Sequence, residues 1–279
     1  MFDTTETFSK SLIQHGPNNN RIYLMKLHPD EDVDSLLGQL EELAASRGYS
    51  KIIAKVPEQA GHYFQDRNYR IEARVPNLFM GKEDGCFYGK FRDPERGALE
   101  RDERELMKEV KEVARESSEI SEDELPGNIE ITRLGKKDVP ALVALYREVF
   151  KVYPFPVFEE DYLTEAMETH AEYYGAWHKG QLVAACAAEM DFDARNAEMT
   201  DFAALPAHRG QNLSYFLLQE MMAQTAEEGI KTVYSMARAN SFGMNKNFER
   251  SGFQFGGVLV NNTHIGQSIE SLNIWYRSL

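Results

Sequence analysis

The stretch Asn196–Gly229, NAEMTDFAALPAHRGQNLSYFLLQEMMAQTAEEG, reads as a strand, a tight polar loop and a helix. From Glu198 to Leu205 the residues are mostly small, β-compatible or apolar, and Pro206, with no N–H to donate, ends the ladder. Leu213, Phe216, Leu217, Leu218, Met221 and Met222 recur at three- and four-residue spacing, which places them on one helix face. The loop Arg209–Ser214 therefore sits at a helix N-terminus. There the first backbone N–H groups have no internal partner and the macrodipole adds partial positive charge, a setting that suits phosphate.

The rest of the composition narrows the class. A chain of 279 residues has room for two domains, each with its own core. The 42% hydrophobic content with mixed charge describes a soluble globular protein. A net charge of −14 argues against nucleic acid or an anionic membrane as partner and suits a cationic substrate, although solubility alone accounts for it equally well. Cys86 and Cys186, flanked by GCFYGK and AACAA, show no metal-ligand spacing, and neither do His208 and His264, so no metal is assigned. The leading MFDTTETFSK lacks an apolar signal core and no run is long enough to span a membrane, which sets the expectation of a cytoplasmic protein.

Working toward the N-terminus, the sequence predicts a polar lead, a strand at Arg21–Leu27 and a helix at Asp32–Arg47 stopped by Gly48. A strand at Lys51–Val56, a helix at Glu58–Arg67 and strands at Ile71–Val75 and Gly85–Phe91 follow. This half repeats part of the other: SLLGQLEELAASRG (Ser35–Gly48) aligns without a gap on FLLQEMMAQTAEEG (Phe216–Gly229), and each enters a strand, KIIAKV and KTVYSM. In the place of the polar loop it carries the acidic run His28-Pro29-Asp30-Glu31-Asp32, which would repel a phosphate. Residues 93–128 read as a charged helix with Leu99, Leu106, Val110 and Val113 at helical spacing, then an acidic hinge. The expected division is 1–92, a linker at 93–128, and 129–279. The first part would pack against the second, dimerise the chain or close a substrate cleft.

The loop RGQNLS resembles the pyrophosphate loop of the GNAT superfamily of acetyl-CoA-dependent N-acetyltransferases, with Arg209 at its first position, Asn212 where Gly is usual and Ser214 where Gly or Ala is usual. The order expected over 129–279, β-α-α-β-β-β-α-β-α-β-β, is that of the GNAT fold. The resemblance implies an α/β (α+β) architecture with a central mixed, mostly antiparallel sheet, preceded by a smaller degenerate GNAT-like domain. It also implies acetyl-CoA as cosubstrate, held by the backbone of Phe202, Ala203, Ala204 and Leu205, by the loop Arg209, Gly210, Gln211, Asn212, Leu213 and Ser214, and by Asn245 and Phe248. Phe248 stands where many of these enzymes place a Tyr general acid, so the thiolate, whose parent thiol ordinarily titrates near about 8.5, would leave unaided. Tyr234 and Tyr215 are substitutes or packing residues.

Within that superfamily VFKVYPFPVFEEDY, NAEMTDFAALPAHRG, ARANSFGMNKNF, VNNTHIG and ESLNIWY resemble the β-lysine N-acetyltransferases, and the likeness extends to IYLMKL and YSKIIAKVP. The implied substrate has two ammonium groups, a carboxylate and an aliphatic stem; a polyamine or α-lysine, or a non-catalytic acyl-CoA-binding role, are the alternatives. A primary ammonium, which in water titrates near about 10.4, must lose a proton before attack. Glu189, Asp191, Glu198 and Asp201 are the carboxylates near the central strands, with Asp201 or Glu189 favoured as base. Alternation puts Glu198 and Asp201 on opposite faces unless the strand carries a bulge. Tyr153 and Phe155 would pack on the stem. Arg238, with Asn240, Asn245, Asn261 and Asn262, would hold the carboxylate, although Asn245 reads equally as a helix cap and Asn261-Asn262 as a turn.

Overall fold

In the computed structural model, residues 3–99, 101–116, 124–266 and 268–279 are described. The first half runs β1 (Thr4–Phe8), β2 (Ser11–Gly16), β3 (Arg21–Lys26), α1 (Val33–Arg47), β4 (Lys51–Pro57), α2 (Gly61–Asp66), β5 (Arg70–Phe79) and β6 (Glu83–Phe91). Helix α3 (Arg101–Glu116) leads to the second half. That half comprises β7 (Ile129–Arg133), α4 (Val139–Val149), α5 (Glu160–Thr169), β8 (Ala171–His178), β9 (Gln181–Asp191), β10 (Asn196–Ala204), α6 (Leu213–Glu227), β11 (Thr232–Arg238), α7 (Phe242–Arg250), β12 (Gln254–Ile265) and β13 (Ser268–Ser278). From β7 onward the order matches the sequence expectation element for element.

Helix α1 shows how local chemistry sets the boundaries. Asp32 caps it by accepting from the Ser35 N–H at 3.1 Å, and Gly48 ends it at φ +71°, where a Cβ would be strained. Leu36, Leu37, Leu40 and Ala44 are fully buried against the sheet.

Two sequence expectations are corrected here. The polar lead is a hairpin: β1 faces water with four of its five residues, so it carries no apolar alternation to read. Helix α3 buries Val110 as expected, but its other buried residues are Met107 and Ala114, each one position beyond Leu106 and Val113, which point outward. The acidic hinge expected at 117–128 lies partly outside the described residues, which resume at 124.

Among the described residues the strands join one sheet of 13 in the order β1-β2-β3-β4-β6-β5-β12-β13-β11-β10-β9-β8-β7. Read inward from either side, each half presents the same pattern around the β5–β12 contact. The parallel pairs β3–β4 and β10–β11 occupy matching places, and all other pairs are antiparallel. One core lies between β8–β11 and helices α4, α5 and α6, a second lies under α1, and a third, with Tyr23, Ile53, Phe87, Tyr234 and Ile274, spans both halves.

At the join Gly257 faces Ala73 with φ +142°, and a Cβ there would stand 2.3 Å from the Glu72 carbonyl oxygen, so only glycine allows the approach. Polar side chains stitch the contact. Lys51 and Glu72, 0% and 2% exposed, pair at 2.7 Å, and Lys51 also donates to the Val260 carbonyl at 2.7 Å. Arg21 donates to the Asn262 carbonyl at 2.8 Å and Arg96 to that of Asn261 at 2.6 Å. Asn261 and Asn262 thus serve this join, in an irregular part of β12, and not a substrate carboxylate.

Candidate active site

Strand β10 is the axis of the site. It pairs with β11 only at Asn196–Thr232, Ala197–Val233 and Glu198–Tyr234, and beyond that point the two strands part. On its other side, the register with β9 shifts between Thr200 and Ala203, which is the bulge that the spacing of Glu198 and Asp201 required. Asp201 takes φ +56° there, a conformation that Asp tolerates better than most residues. The extra residue brings its carboxylate round to the Thr200 hydroxyl, 3.4 Å away, and into a short hydrogen bond donated by the Tyr153 hydroxyl. Tyr153 in turn lies on Phe150, with ring centroids 4.6 Å apart.

Burial raises the proton affinity of all three carboxylates gathered here. It pushes Asp201 up to about 6 against the bonds from Tyr153 and Thr200, which favour the charged form. Glu198 is pushed up to about 7 by burial, opposed by Lys55 and Tyr234 and reinforced by the Asp201 charge. Glu189 is driven well above the usual carboxylate range by burial and then by the charges of Asp201 and Glu198. Groups poised near neutrality can exchange protons with an amine.

Two spaces open on these residues, one on Asp201 and the other on Glu189 and Glu198. The first is a groove of about 620 Å³ lined by Phe202, Ala204, Arg209, Gly210, Asn212, Leu213, Ser214, Ser241 and Lys246. It continues into a recess of about 170 Å³ that shares Phe150, Phe202, Arg238, Ser241 and Met244 with it and reaches Tyr153, Asp201 and Phe248. The groove's floor is the start of α6, where Asn212 sits at φ +55°, makes no side-chain cap bond into the first turn, and is followed by no acidic residue in that turn. Gly210 has φ +79°. A diphosphate would meet amide donors and positive dipole there, so these residues fit the phosphates of acetyl-CoA. The second space, about 450 Å³, lies between the halves: Leu12, Tyr23, Met25, Lys26 and Lys55 face Glu189, Asp191, Asp193, Glu198 and Tyr234.

Not every expected residue reaches these spaces. Asn245 is fully buried and saturated: it donates to the Arg238 and Ser241 carbonyls and accepts from Asn273 and Trp275, so it ties α7 to β13 and binds no cofactor. Leu205 has spent its N–H on the Val183 carbonyl and its own carbonyl on His208. Ala203 is buried in the helix-packed core, Phe155 packs against that core, and Gln211 and Asn240 line none of the three spaces. Arg238 does line the groove, and its Nε and Nη2 donate to the two oxygens of Glu270 at 2.7 and 2.6 Å, so its charge is already answered within the chain. Phe248 is fully buried, edge-on to Phe202 and Phe253.

Sequence reasoning misses Lys55 and leaves Tyr234 open between packing and chemistry. The Lys55 ammonium donates to the Tyr234 hydroxyl at 2.7 Å across the two halves. The only signal for either is the recurrence of KIIAKV beside KTVYSM.

Residues 140–253 match the "Acetyltransferase (GNAT) family". The chain is 32% identical to the Beta-lysine N(6)-acetyltransferase of Methanococcus maripaludis over 96% of each chain. It is 28% identical to the N-acetyltransferase YodP of Bacillus subtilis, again over 96% of each. With the Beta-lysine N(6)-acetyltransferase of Methanosarcina mazei it shares 28% over 88% of this chain and 97% of the other.

Proposed function

We propose that this chain, which belongs to the GNAT family of acetyltransferases, transfers the acetyl group of acetyl-CoA to the terminal amine of β-lysine, forming Nε-acetyl-β-lysine, a compatible solute. The observation that carries the reading is the parting of β10 from β11 immediately beyond Glu198 and Tyr234, between an acidic cleft and a groove floored by an open helix start. Acetyl-CoA supplies an activated acyl group. The start of α6 and the loop Arg209–Ser214 hold its diphosphate, and backbone groups of β10 near Phe202 and Ala204, freed by the parting, orient the acyl end.

Asp201, which lines the recess and lies close enough to Glu189 and Glu198 for its charge to raise their proton affinity, takes the proton of the attacking ammonium, directly or through one water. Tyr153 keeps its carboxylate oriented. Glu189 and Glu198 hold the substrate's second cation. Residues 1–92 act as a degenerate GNAT-like half that closes the cleft through β2, β3 and β4, residues 93–128 connect, and residues 129–279 carry the chemistry.

The reading is tested by the release of free CoA thiol from acetyl-CoA by the purified protein with β-lysine, α-lysine, spermidine and a lysine-bearing peptide in parallel. Release selective for β-lysine, with product acetylated at the terminal amine, is expected. Release with another amine alone would discard the substrate, and no release with any would discard the reaction.

A further inference from the structure

Strand β4 carries two lysines that the fold treats differently. Lys51 is fully buried, paired with Glu72 and donating to the Val260 carbonyl. Lys55, further along the same strand, opens into the cleft between the halves. Its ammonium has three donors, and the described structure gives it one partner, the neutral Tyr234 hydroxyl, with the Tyr234 ring beneath it at 5.0 Å. No carboxylate among the described residues lies at ion-pair distance from it, although Glu198, Asp191 and Glu189 are near enough to favour its charged form. Burial works the other way and lowers its hold on the proton.

The remaining charges of the cleft sort cleanly. Lys26 is taken by Asp191 at 2.9 Å and Asp193 at 3.4 Å. Among the described residues lining the space, that leaves two carboxyl groups, Glu189 and Glu198, and one lysine, Lys55, with donors to spare. The complement of this set is a small molecule with two ammonium groups and one carboxylate.

We infer that Lys55, supplied by the amino-terminal half, anchors the carboxylate of a diamino-acid substrate and thereby excludes polyamines from the cleft. The inference rests on the reading of this cleft as an amine-acetylation site and names the group that selects the substrate class there. A polyamine would set hydrocarbon or a further ammonium against Lys55 where the diamino acid sets its carboxylate. The Tyr234 hydroxyl, accepting from the ammonium, fixes where the anchor points.

The test compares 3,6-diaminohexanoate with 1,4-diaminopentane, the same skeleton without the carboxylate, by CoA release from acetyl-CoA with the full-length protein. Wild type is expected to prefer the acid. Lys55→Met is expected to lower kcat/KM for the acid by about 10- to 100-fold, carried mostly by KM, the scale of one lost charge-assisted hydrogen bond. The same variant is expected to raise kcat/KM for the diamine, because a like charge is gone, while Lys55→Arg keeps a preference for the acid. An equal loss for both amines in Lys55→Met would reduce Lys55 to a structural role and overturn the inference. So would a wild type that shows no preference, a result that needs no variant to fold. A wild type that releases CoA with neither of these nor with α-lysine or spermidine would overturn the acetylation reading itself, before Lys55 is examined.

Discussion

The turn from β3 into α1 and the turn from β10 into α6 stand at matching places in the two halves, and they finish opposite ways. At α1 the cap is Asp32, whose carboxylate accepts the Ser35 N–H, and Asp34 adds a second negative charge in the first turn. At α6 the cap is Asn212 in a left-handed conformation, with no cap bond from its side chain and no acid behind it. The parallel pairs beneath them differ in the same sense. Glu198 lies across from Tyr234 in one half, and in the other Tyr23 lies across from Ile53. One strand–loop–helix unit therefore serves two ends. Closed by its own carboxylate and with no acid on its strands, it lends one wall to the cleft; left open and given buried acids, it is a reaction site.

The largest effect that would sharpen this contrast is expected from Asp201→Asn. Asn keeps the size and the positive φ but cannot take a proton, so kcat/KM should fall by about 10²- to 10⁴-fold with little change in acetyl-CoA affinity. In wild type the rate should also fall as pH drops through the range of about 6 to 7, because the raised carboxylates there become protonated and lose their function. A variant retaining the wild-type rate and acid limb would remove Asp201 from the proposed role. Next comes Asn212→Asp, which writes the amino-terminal solution into the catalytic loop. A carboxylate against the diphosphate should weaken acetyl-CoA binding by about tenfold or more, about 1.4 kcal/mol, as read by calorimetry. Unchanged affinity would break the comparison. The smallest effect is the converse change: Asp32→Ala should cost about 1 kcal/mol of stability, seen as a lower Tm, and leave acetyl-CoA affinity as it was. A shift in affinity there would mean that the first loop is not the inert counterpart described.

Much of this is legible in the chain. Three-and-four spacing with Gly48 and Gly229 as stops sets the helices, and the gap-free match of Ser35–Gly48 with Phe216–Gly229 anticipates the matching halves. The site is legible where it depends on short range. Asn212 reads as a residue at the helix start, and the geometry of Glu198 and Asp201 reduces to whether a bulge exists. What stays hidden depends on contacts far apart in sequence. Arg238 looks like an anion binder until Glu270 is placed beside it, and Asn245 looks like a ligand group until Trp275 and Asn273 fill its acceptor. Lys55 is one charge in KIIAKV until the sheet sets it against Tyr234. Strand β1 gives no signal because a water-facing strand of Thr and Glu has no periodicity to detect.

The contact of Gly257 with Ala73 carries a last consequence. Strands β5 and β12 are each the final rung of their own half, and a rung with bare amides and carbonyls is a template for any extended chain that drifts by. By meeting, the two rungs blunt each other. A gene fragment encoding either half alone would uncover that rung together with the Lys51–Glu72 ion pair or the bare apolar face around Ile274, and its first failing would be aggregation, ahead of any loss of catalysis.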